Sequence, residues 1–187
     1  MKKILITLLI ILGGISVKAQ IPGFAIKIMG GVNMPSFAMD QATNAVHKLN
    51  YAFSLDAALG KKNYLQAGLS IRKYTGEFTI LKVTSDLAFP SFGMHAYYGR
   101  QFLDLKVTKL RAFGGVNYEL LTTPTSKDFV IDPDDFNPNV VNLVVGGEVK
   151  VLAILLSLQY EIGLTDMATN VSMKNNIFIA KVGFSIL

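Results

Sequence analysis

The feature that most constrains this chain is a polar–apolar alternation with a period of two, repeated in eight segments of roughly ten residues. Neighbouring side chains of a strand point to opposite faces, so each segment places one apolar side against a non-aqueous phase. About ten residues is also the length that a tilted strand needs to cross the hydrocarbon of a bilayer. The predicted strands are 24–33, 50–59, 64–74, 87–100, 110–121, 141–151, 154–164 and 177–187.

The two faces of these segments differ in charge as well as in hydropathy. One face is formed by aliphatic, aromatic and small side chains, and five cations and four anions gather on the opposite face. A nearly neutral charge set on one face and a wide apolar band on the other fit a barrel with lipid outside and ion pairs inside. The interior residues predicted in this way are Lys27, Arg72, Arg111, Lys150 and Lys181 together with Asp56, Glu119, Glu148 and Glu161.

The hydrophobicity of the chain is not arranged as transmembrane helices. The mean hydropathy is +0.40, which is high for a soluble domain. After the first nineteen residues, no stretch of 18 apolar residues occurs. The other backbone that satisfies its own hydrogen bonds in lipid is a closed barrel. We therefore predict an all-β protein, an eight-stranded antiparallel up-and-down transmembrane β-barrel, whose interior is filled by side chains rather than open as a pore.

The connections between the predicted strands alternate in length. Short turns are predicted at 60–63 and near Leu152, and Pro90 is expected to cause a bulge or the end of its strand, because proline cannot donate to a ladder. Short periplasmic turns and long external loops are typical of outer-membrane barrels, with both termini in the periplasm. The predicted external loops are 34–49, 75–86, 122–140 and 165–176.

The N-terminus has the pattern of a secretory signal peptide. Lys2 and Lys3 precede an apolar core, and Ala19 ends a stretch suited to cleavage. Residues 1–19 are predicted to be removed, leaving the barrel domain at 20–187; an uncleaved membrane anchor is the alternative. Removal of Lys2, Lys3 and Lys18 lowers the formal charge from +5 to +2, and no basic patch for nucleic acid remains. The chain has no cysteine, so it has neither disulfides nor an N-terminal lipid attachment.

One resemblance is carried by the short sequences 28–33, 87–90, 97–99, 111–118, 160–166 and 179–187. They resemble the outer-membrane β-barrel domains of Bacteroidota, of the PorT-like kind. The resemblance covers nearly all of the chain after the leader and implies the same fold, the cell outer membrane as location, and insertion by the barrel-assembly machinery. The family includes a component linked to protein secretion, so an accessory role in a secretion apparatus is one alternative function.

The polar residues do not form a recognisable catalytic site. His95 is predicted to face the interior, where Ser91 and Glu119 can approach it, and outer-membrane lipid hydrolases use a Ser–His–acid arrangement. Lipid is reached from the outer face, however, so we interpret His95 as a hydrogen-bonded interior residue. His47 is expected to be solvated in a loop. No catalytic residue is therefore predicted.

Three further patterns are interpreted structurally. The acidic residues Asp128, Asp132, Asp134 and Asp135 lack the spacing of a calcium loop, so no metal or cofactor site is predicted. The glycine pairs at 30–31, 114–115 and 146–147 lie inside strands and are expected to bend them or to make room for long interior side chains. Lipid-facing aromatic residues are consistent with interfacial girdles or with ordinary strand preference; they are Tyr51, Tyr98, Tyr118, Tyr160 and Phe178.

The predicted function is that of a small, non-enzymatic integral outer-membrane protein, acting in envelope structure or through its external loops. Its expected partners are outer-membrane lipid, lipopolysaccharide, the barrel-assembly machinery and an envelope protein, without nucleic acid. A lipid-modifying enzyme, a secretion accessory and a soluble periplasmic binding barrel are the alternatives.

Overall fold

The structure, a computed structural model, describes residues 23–39, 46–80, 83–105, 107–123, 125–126, 135–169 and 173–186. The predicted signal peptide at 1–19 lies outside this part of the chain. Within the described ranges, no helix is both long and apolar enough to cross a bilayer.

Eight long antiparallel strands form one closed sheet, which confirms the predicted fold. Each strand pairs with its neighbours in the chain. The ring closes where the first strand pairs with the last, from Ile26 opposite Ile186 to Met39 opposite Met173. The strands are β1 (Phe24–Met39), β2 (Asn50–Leu59), β3 (Asn63–Ile80), β4 (Val83–Asp104), β5 (Thr108–Leu121), β6 (Asn139–Val151), β7 (Ile154–Gly163) and β8 (Met173–Ile186).

The alternation along the strands sorts side chains between the outside and the inside of the barrel. Ile28 and Leu158 are more than half exposed on the outer face, whereas Lys27 and Arg72 on the inner face are 0% and 1% exposed. This is the reverse of a soluble domain, in which the charges face water. The outer band is therefore the surface that meets lipid. Its exposed apolar side chains include Ile28, Phe53, Leu55, Leu65, Ile71, Leu156, Leu158, Val182 and Phe184.

Several segments predicted as external loops are strand instead. β1 continues to Met39, β8 begins at Met173, and the predicted loop at 75–86 is nearly all hairpin, because β3 and β4 continue to Ile80 and from Val83. A strand pair can continue above the membrane as long as its backbone remains hydrogen-bonded to its partner. Two short segments flank this hairpin: Val46–His47 pairs with β3 and Thr125–Ser126 pairs with β4.

The prediction of a bulge or strand end at Pro90 is wrong. Pro90 pairs with Lys73 in unbroken register, and the register shift in β4 lies instead between Gln101 and Leu103. The regular pairing of β4 with β5 begins only at Ser91, and the carbonyl of Pro90 accepts the N–H of Thr122 just beyond β5. Proline lacks an N–H donor, but at Pro90 this donor is not needed, because β5 on that side has already ended at Leu121.

The predicted short turns lie where the sequence places them, and we call their end of the barrel the periplasmic end, after the usual orientation of outer-membrane barrels. β2 ends at Leu59 and β3 begins at Asn63, with Gly60 at a φ of 122° that favours glycine. β6 and β7 are joined by Leu152 and Ala153. The described part of the chain thus has its short turns at one end and its extended strands at the other.

Candidate functional site: the barrel interior and its external end

An aromatic layer fills the interior next to the periplasmic turns. Tyr97 stacks on Phe113 with ring centroids 5.1 Å apart, and the ring of Tyr64 lies 5.4 Å from the Nζ atom of Lys27. Glycines opposite these rings make the space for them: a Cβ atom on Gly99 would lie 2.2 Å from the Cζ atom of Tyr64, and one on Gly146 would lie 2.6 Å from that of Phe113. The expected role of the glycine pair at 146–147 in making room is therefore confirmed for Gly146, whereas Gly99 was not predicted.

Two further interior glycines, Gly31 and Gly115, allow close approach of backbones. A Cβ atom on Gly31 would lie 2.0 Å from the carbonyl oxygen of Ala180, and one on Gly115 would lie 2.1 Å from that of Ala96. A side chain at either position would push neighbouring strands apart. These two glycines therefore permit the tight curvature of a small barrel.

Beside the aromatic layer lies a first ion network around Glu148. Lys27 donates hydrogen bonds to Glu148 at 2.7 Å and to Gln66 at 2.7 Å, and Arg111 binds the other Glu148 oxygen at 3.1 Å. Lys27 and Glu148 are almost fully buried. Their charges are therefore compensated by each other rather than by solvent.

A second network surrounds Arg72. Its Nη1 atom lies 2.9 Å from an oxygen of Glu119 and 2.9 Å from an oxygen of Glu161. Tyr74 donates to Glu119, and Asn117 donates to both carboxylates. All three charged side chains are at most 1% exposed, so this is a buried triad of one cation and two anions. The prediction of an ion-paired interior is thus confirmed for these residues.

A third network contains the histidine singled out in the sequence. His95 contacts Asp56 rather than Ser91 or Glu119, and its ring stacks on Tyr97 at 4.6 Å. The reason is Gly68, which stands between the two residues in the ladder: a Cβ atom there would lie 2.2 Å from Asp56 and 2.7 Å from His95.

The His95–Asp56 contact continues into a chain of hydrogen bonds. Ser54 donates to Asp56 at 3.1 Å, and Lys181 donates to Ser54 at 3.2 Å. Lys150, the fifth predicted interior cation, lies near the periplasmic end and donates to Ser185 at 3.0 Å. All nine predicted interior charges therefore have interior partners.

The external end of the interior is apolar, although the alternation in the sequence predicts a polar interior. Tyr74 and Phe89 stand opposite each other in the ladder and are both fully buried. The connection between β7 and β8 inserts Met167, whose N–H bonds to the carbonyl of Met173 at 2.8 Å. We call this cluster the external plug; its buried members are Phe37, Ala52, Tyr74, Phe89, Leu121, Val140, Met167, Met173, Ile177 and Ile179.

Other predicted features are partly outside the described ranges. Asp128, Asp132 and Asp134 are not described, whereas Asp135 is exposed. No group of three or more metal-ligating side chains occurs among the described residues. His47 lies in the short segment that pairs with β3 rather than in a loop.

The predicted lipid-facing aromatics point outwards, with Tyr118 only partly exposed. The hydroxyl of Tyr118 donates to Asn139 near the external end of β6. The other four, which are each more than a third exposed on the outer face, are Tyr51, Tyr98, Tyr160 and Phe178.

Solved structures with the same fold are outer-membrane barrels. The outer membrane protein OprG of Pseudomonas aeruginosa is similar with a TM-score of 0.56 and 12% identity, over 87% of this chain and 93% of that one. Neisserial surface protein A is similar with a TM-score of 0.51 and 12% identity, over 87% of this chain and 96% of that one. Ail of Yersinia pestis, the attachment invasion locus protein, is similar with a TM-score of 0.50 and 9% identity, over 87% of this chain and 99% of that one. No protein-family model and no curated protein sequence matches the chain.

The similar solved structures and the apolar outer band of the barrel both indicate that the protein lies in a membrane. At these identities the solved structures establish the fold, and the apolar outer band around a charged interior identifies which surface faces lipid. The chain is an integral outer-membrane β-barrel. Its interior consists of an aromatic layer, ion networks and an apolar plug, and the strands continue beyond the plug.

Proposed function

We propose that this protein is a non-catalytic surface anchor: the barrel holds a β-hairpin above the outer membrane, and the hairpin contacts a partner at the cell surface. The observation that carries the proposal is the length of β3 and β4. They contain 18 and 22 residues, about twice what a tilted strand needs to cross the hydrocarbon. We call their paired external parts, residues 75–80 and 83–88, the external hairpin.

The base of the external hairpin is packed into the interior of the barrel. Tyr74 and Phe89, which stand opposite each other just below it, are fully buried in the external plug. The short segments Val46–His47 and Thr125–Ser126 extend its two sides into a small sheet. A binding surface held in one orientation loses less entropy on contact than a mobile loop does, which favours this hairpin as the contact region.

Cysteine labelling tests the placement of the external hairpin, because the chain has no cysteine of its own. We expect Thr79→Cys to react on intact cells with a maleimide that does not cross membranes. The matched control, Lys62→Cys in the turn at the other end, should react only after the outer membrane is broken. Labelling of Lys62→Cys but not of Thr79→Cys on intact cells would contradict the proposal.

Photo-crosslinking then tests the contact itself. A photoreactive residue at position 79 should give a discrete crosslinked product on cells. A variant in which a two-residue turn replaces residues 77–86 should lose surface binding. This variant should still shift in gel mobility on boiling, which shows that its barrel is folded. A variant altered at Leu105 in a periplasmic turn serves as the control. The proposal fails if the shortened variant retains every interaction of the full chain.

A lipid-modifying enzyme is the second candidate, and the contact between His95 and Asp56 is the observation in its favour. Two of the three groups of a Ser–His–acid arrangement are present, but His95 is only 4% exposed and faces the interior. The mass spectrum of lipid A from cells with His95→Ala is the test. An altered spectrum would favour the enzyme, and an unchanged one would remove it.

The PorT-like resemblance supports a third proposal, an accessory role in protein secretion. It rests only on the short sequences that resemble that family, and no residue of the chain marks the role. Normal secretion in a deletion strain would contradict it. If secretion is lost in that strain and is restored by the full chain but not by the variant with the shortened hairpin, the secretion role depends on the surface contact of the hairpin.

A further inference from the structure

The outer face of the barrel has a furrow in its periplasmic half. Ala57, Ala67 and Ala96 stand side by side on β2, β3 and β4, and their small side chains form its floor. Leu65 and Tyr98 rise beside them, and the resulting furrow has a volume of 540 Å³. Because this surface faces hydrocarbon, the natural occupant of the furrow is an acyl chain.

Basic residues stand at the periplasmic end of this furrow. Arg100 is the next outward-facing residue after Tyr98, about 7 Å further along β4, and it is exposed. Lys61 and Lys62 are exposed in the adjacent turn, and the carbonyl of Lys62 accepts the N–H of Gln101 at 2.7 Å, which holds the turn beside β4. Among the described residues, no carboxylate pairs with any of these three cations.

A second furrow on the outer face provides the comparison. It has a volume of 710 Å³ and also has a floor of small residues, including Gly147 and Ala180. The outward positions that follow it towards the periplasm are apolar, among them Ile154 and Phe184. The two furrows therefore offer similar space to an acyl chain but differ in the charge at the level of the lipid headgroup.

We propose that the furrow on β2–β5 is a binding site for an anionic phospholipid of the periplasmic leaflet. One acyl chain lies on Ala57, Ala67 and Ala96, and the phosphate is bound by Arg100 and the two lysines of the turn. Each basic residue near an anionic lipid surface strengthens attraction by about fivefold. This site is independent of the external hairpin, which lies at the opposite end of the barrel.

Quenching by brominated lipids tests the site, because the chain has no tryptophan. Tyr98→Trp places one reporter beside the furrow, and Leu158→Trp places one in the second furrow. In phosphatidylcholine vesicles that contain a minor fraction of brominated-chain lipid, we expect brominated phosphatidylglycerol to quench Trp at position 98 more effectively than brominated phosphatidylcholine does, by at least the ~5-fold expected for one basic residue. At position 158 the two lipids should quench equally.

Two variants in the Tyr98→Trp background distinguish binding of the lipid headgroup from binding of the acyl chain. Neutralisation by Lys61→Gln, Lys62→Gln and Arg100→Gln should abolish the preference for phosphatidylglycerol without reducing quenching by phosphatidylcholine. Ala67→Leu, which fills the floor, should reduce quenching by both lipids. A gel shift on boiling verifies that each variant is folded. Equal quenching by the two lipids at position 98, or a preference that survives neutralisation, would overturn the proposal.

Discussion

The ion networks and the external plug are both buried inside the same barrel, yet they are stabilised in opposite ways. The triad of Arg72, Glu119 and Glu161 depends on mutual compensation of charge, so both carboxylates lose their counter-ion when Arg72 is removed. The plug around Ile177 consists of apolar contacts that each contribute separately. The difference teaches that interior burial by itself does not indicate how sensitive a position is to substitution.

The largest effect should follow removal of the central cation. Arg72→Met leaves two buried carboxylates without their partner, so we expect a loss of ~3–5 kcal/mol in the free energy of unfolding. Urea titration of the protein in micelles, read out by the gel shift on boiling, measures it. Adding Glu119→Leu and Glu161→Leu should recover much of the loss, because no unpaired charge remains. A triple variant as unstable as Arg72→Met would break the comparison.

A truncation in the external plug should cost less. Ile177→Ala removes a fully buried side chain but leaves no charge unpaired, and we expect a loss of ~2–4 kcal/mol from lost burial and the remaining cavity. The matched control is Ile162→Ala on the outer face, where detergent or lipid can fill the space. Equal losses in the two variants would show that the plug is not a packed core.

Tyr74 belongs to both regions and sharpens the boundary between them. Its ring is part of the plug, and its hydroxyl donates to Glu119 at 2.6 Å. Tyr74→Phe keeps the ring and removes the bond, so a loss of ~1.5–3 kcal/mol is expected, as for other hydrogen bonds to charged groups. Tyr160→Phe, on the outer face, should be nearly neutral in the same titration. A neutral Tyr74→Phe would mean that Glu119 is satisfied by Arg72 and Asn117 alone.

The smallest effect is expected at the periplasmic rim. Lys109 lies 3.4 Å from Asp104, but both side chains are more than a third exposed. Because exposed ion pairs contribute little, Lys109→Gln should change the free energy of unfolding by less than ~1 kcal/mol. The contrast with Arg72 is therefore a contrast in burial, and a loss as large as that of Arg72→Met would contradict it.

The sequence predicted which face of the barrel each charged side chain occupies better than it predicted which side chain it contacts. Alternation assigns Lys27 and Glu148 to the interior, but their contact spans 121 positions of sequence and depends on how the strands are staggered around the ring. The contact of His95 with Asp56 likewise depends on Gly68 in the intervening strand. Such pairings are determined by closure of the barrel, which no local pattern records.

The external parts of the fold were missed for a different reason. The prediction used the contrast between an apolar face towards lipid and a polar interior, and this contrast is absent above the membrane. Phe37, Phe89 and Ile177 are apolar and yet face inwards, so the expected polarity is reversed at this end. The strands there are held by backbone pairing and by the plug rather than by lipid.

The seam between β1 and β8 has a consequence for how the protein is made. These strands are the most distant in the chain, and Lys181 on β8 reaches Ser54 across 127 positions. The barrel cannot close until its last strand pairs with its first. Intermediates that lack this pairing therefore expose both apolar and charged side chains to water. The cylinder therefore closes only once the whole chain is available, and its apolar outer band leaves water only when the closed barrel lies in lipid.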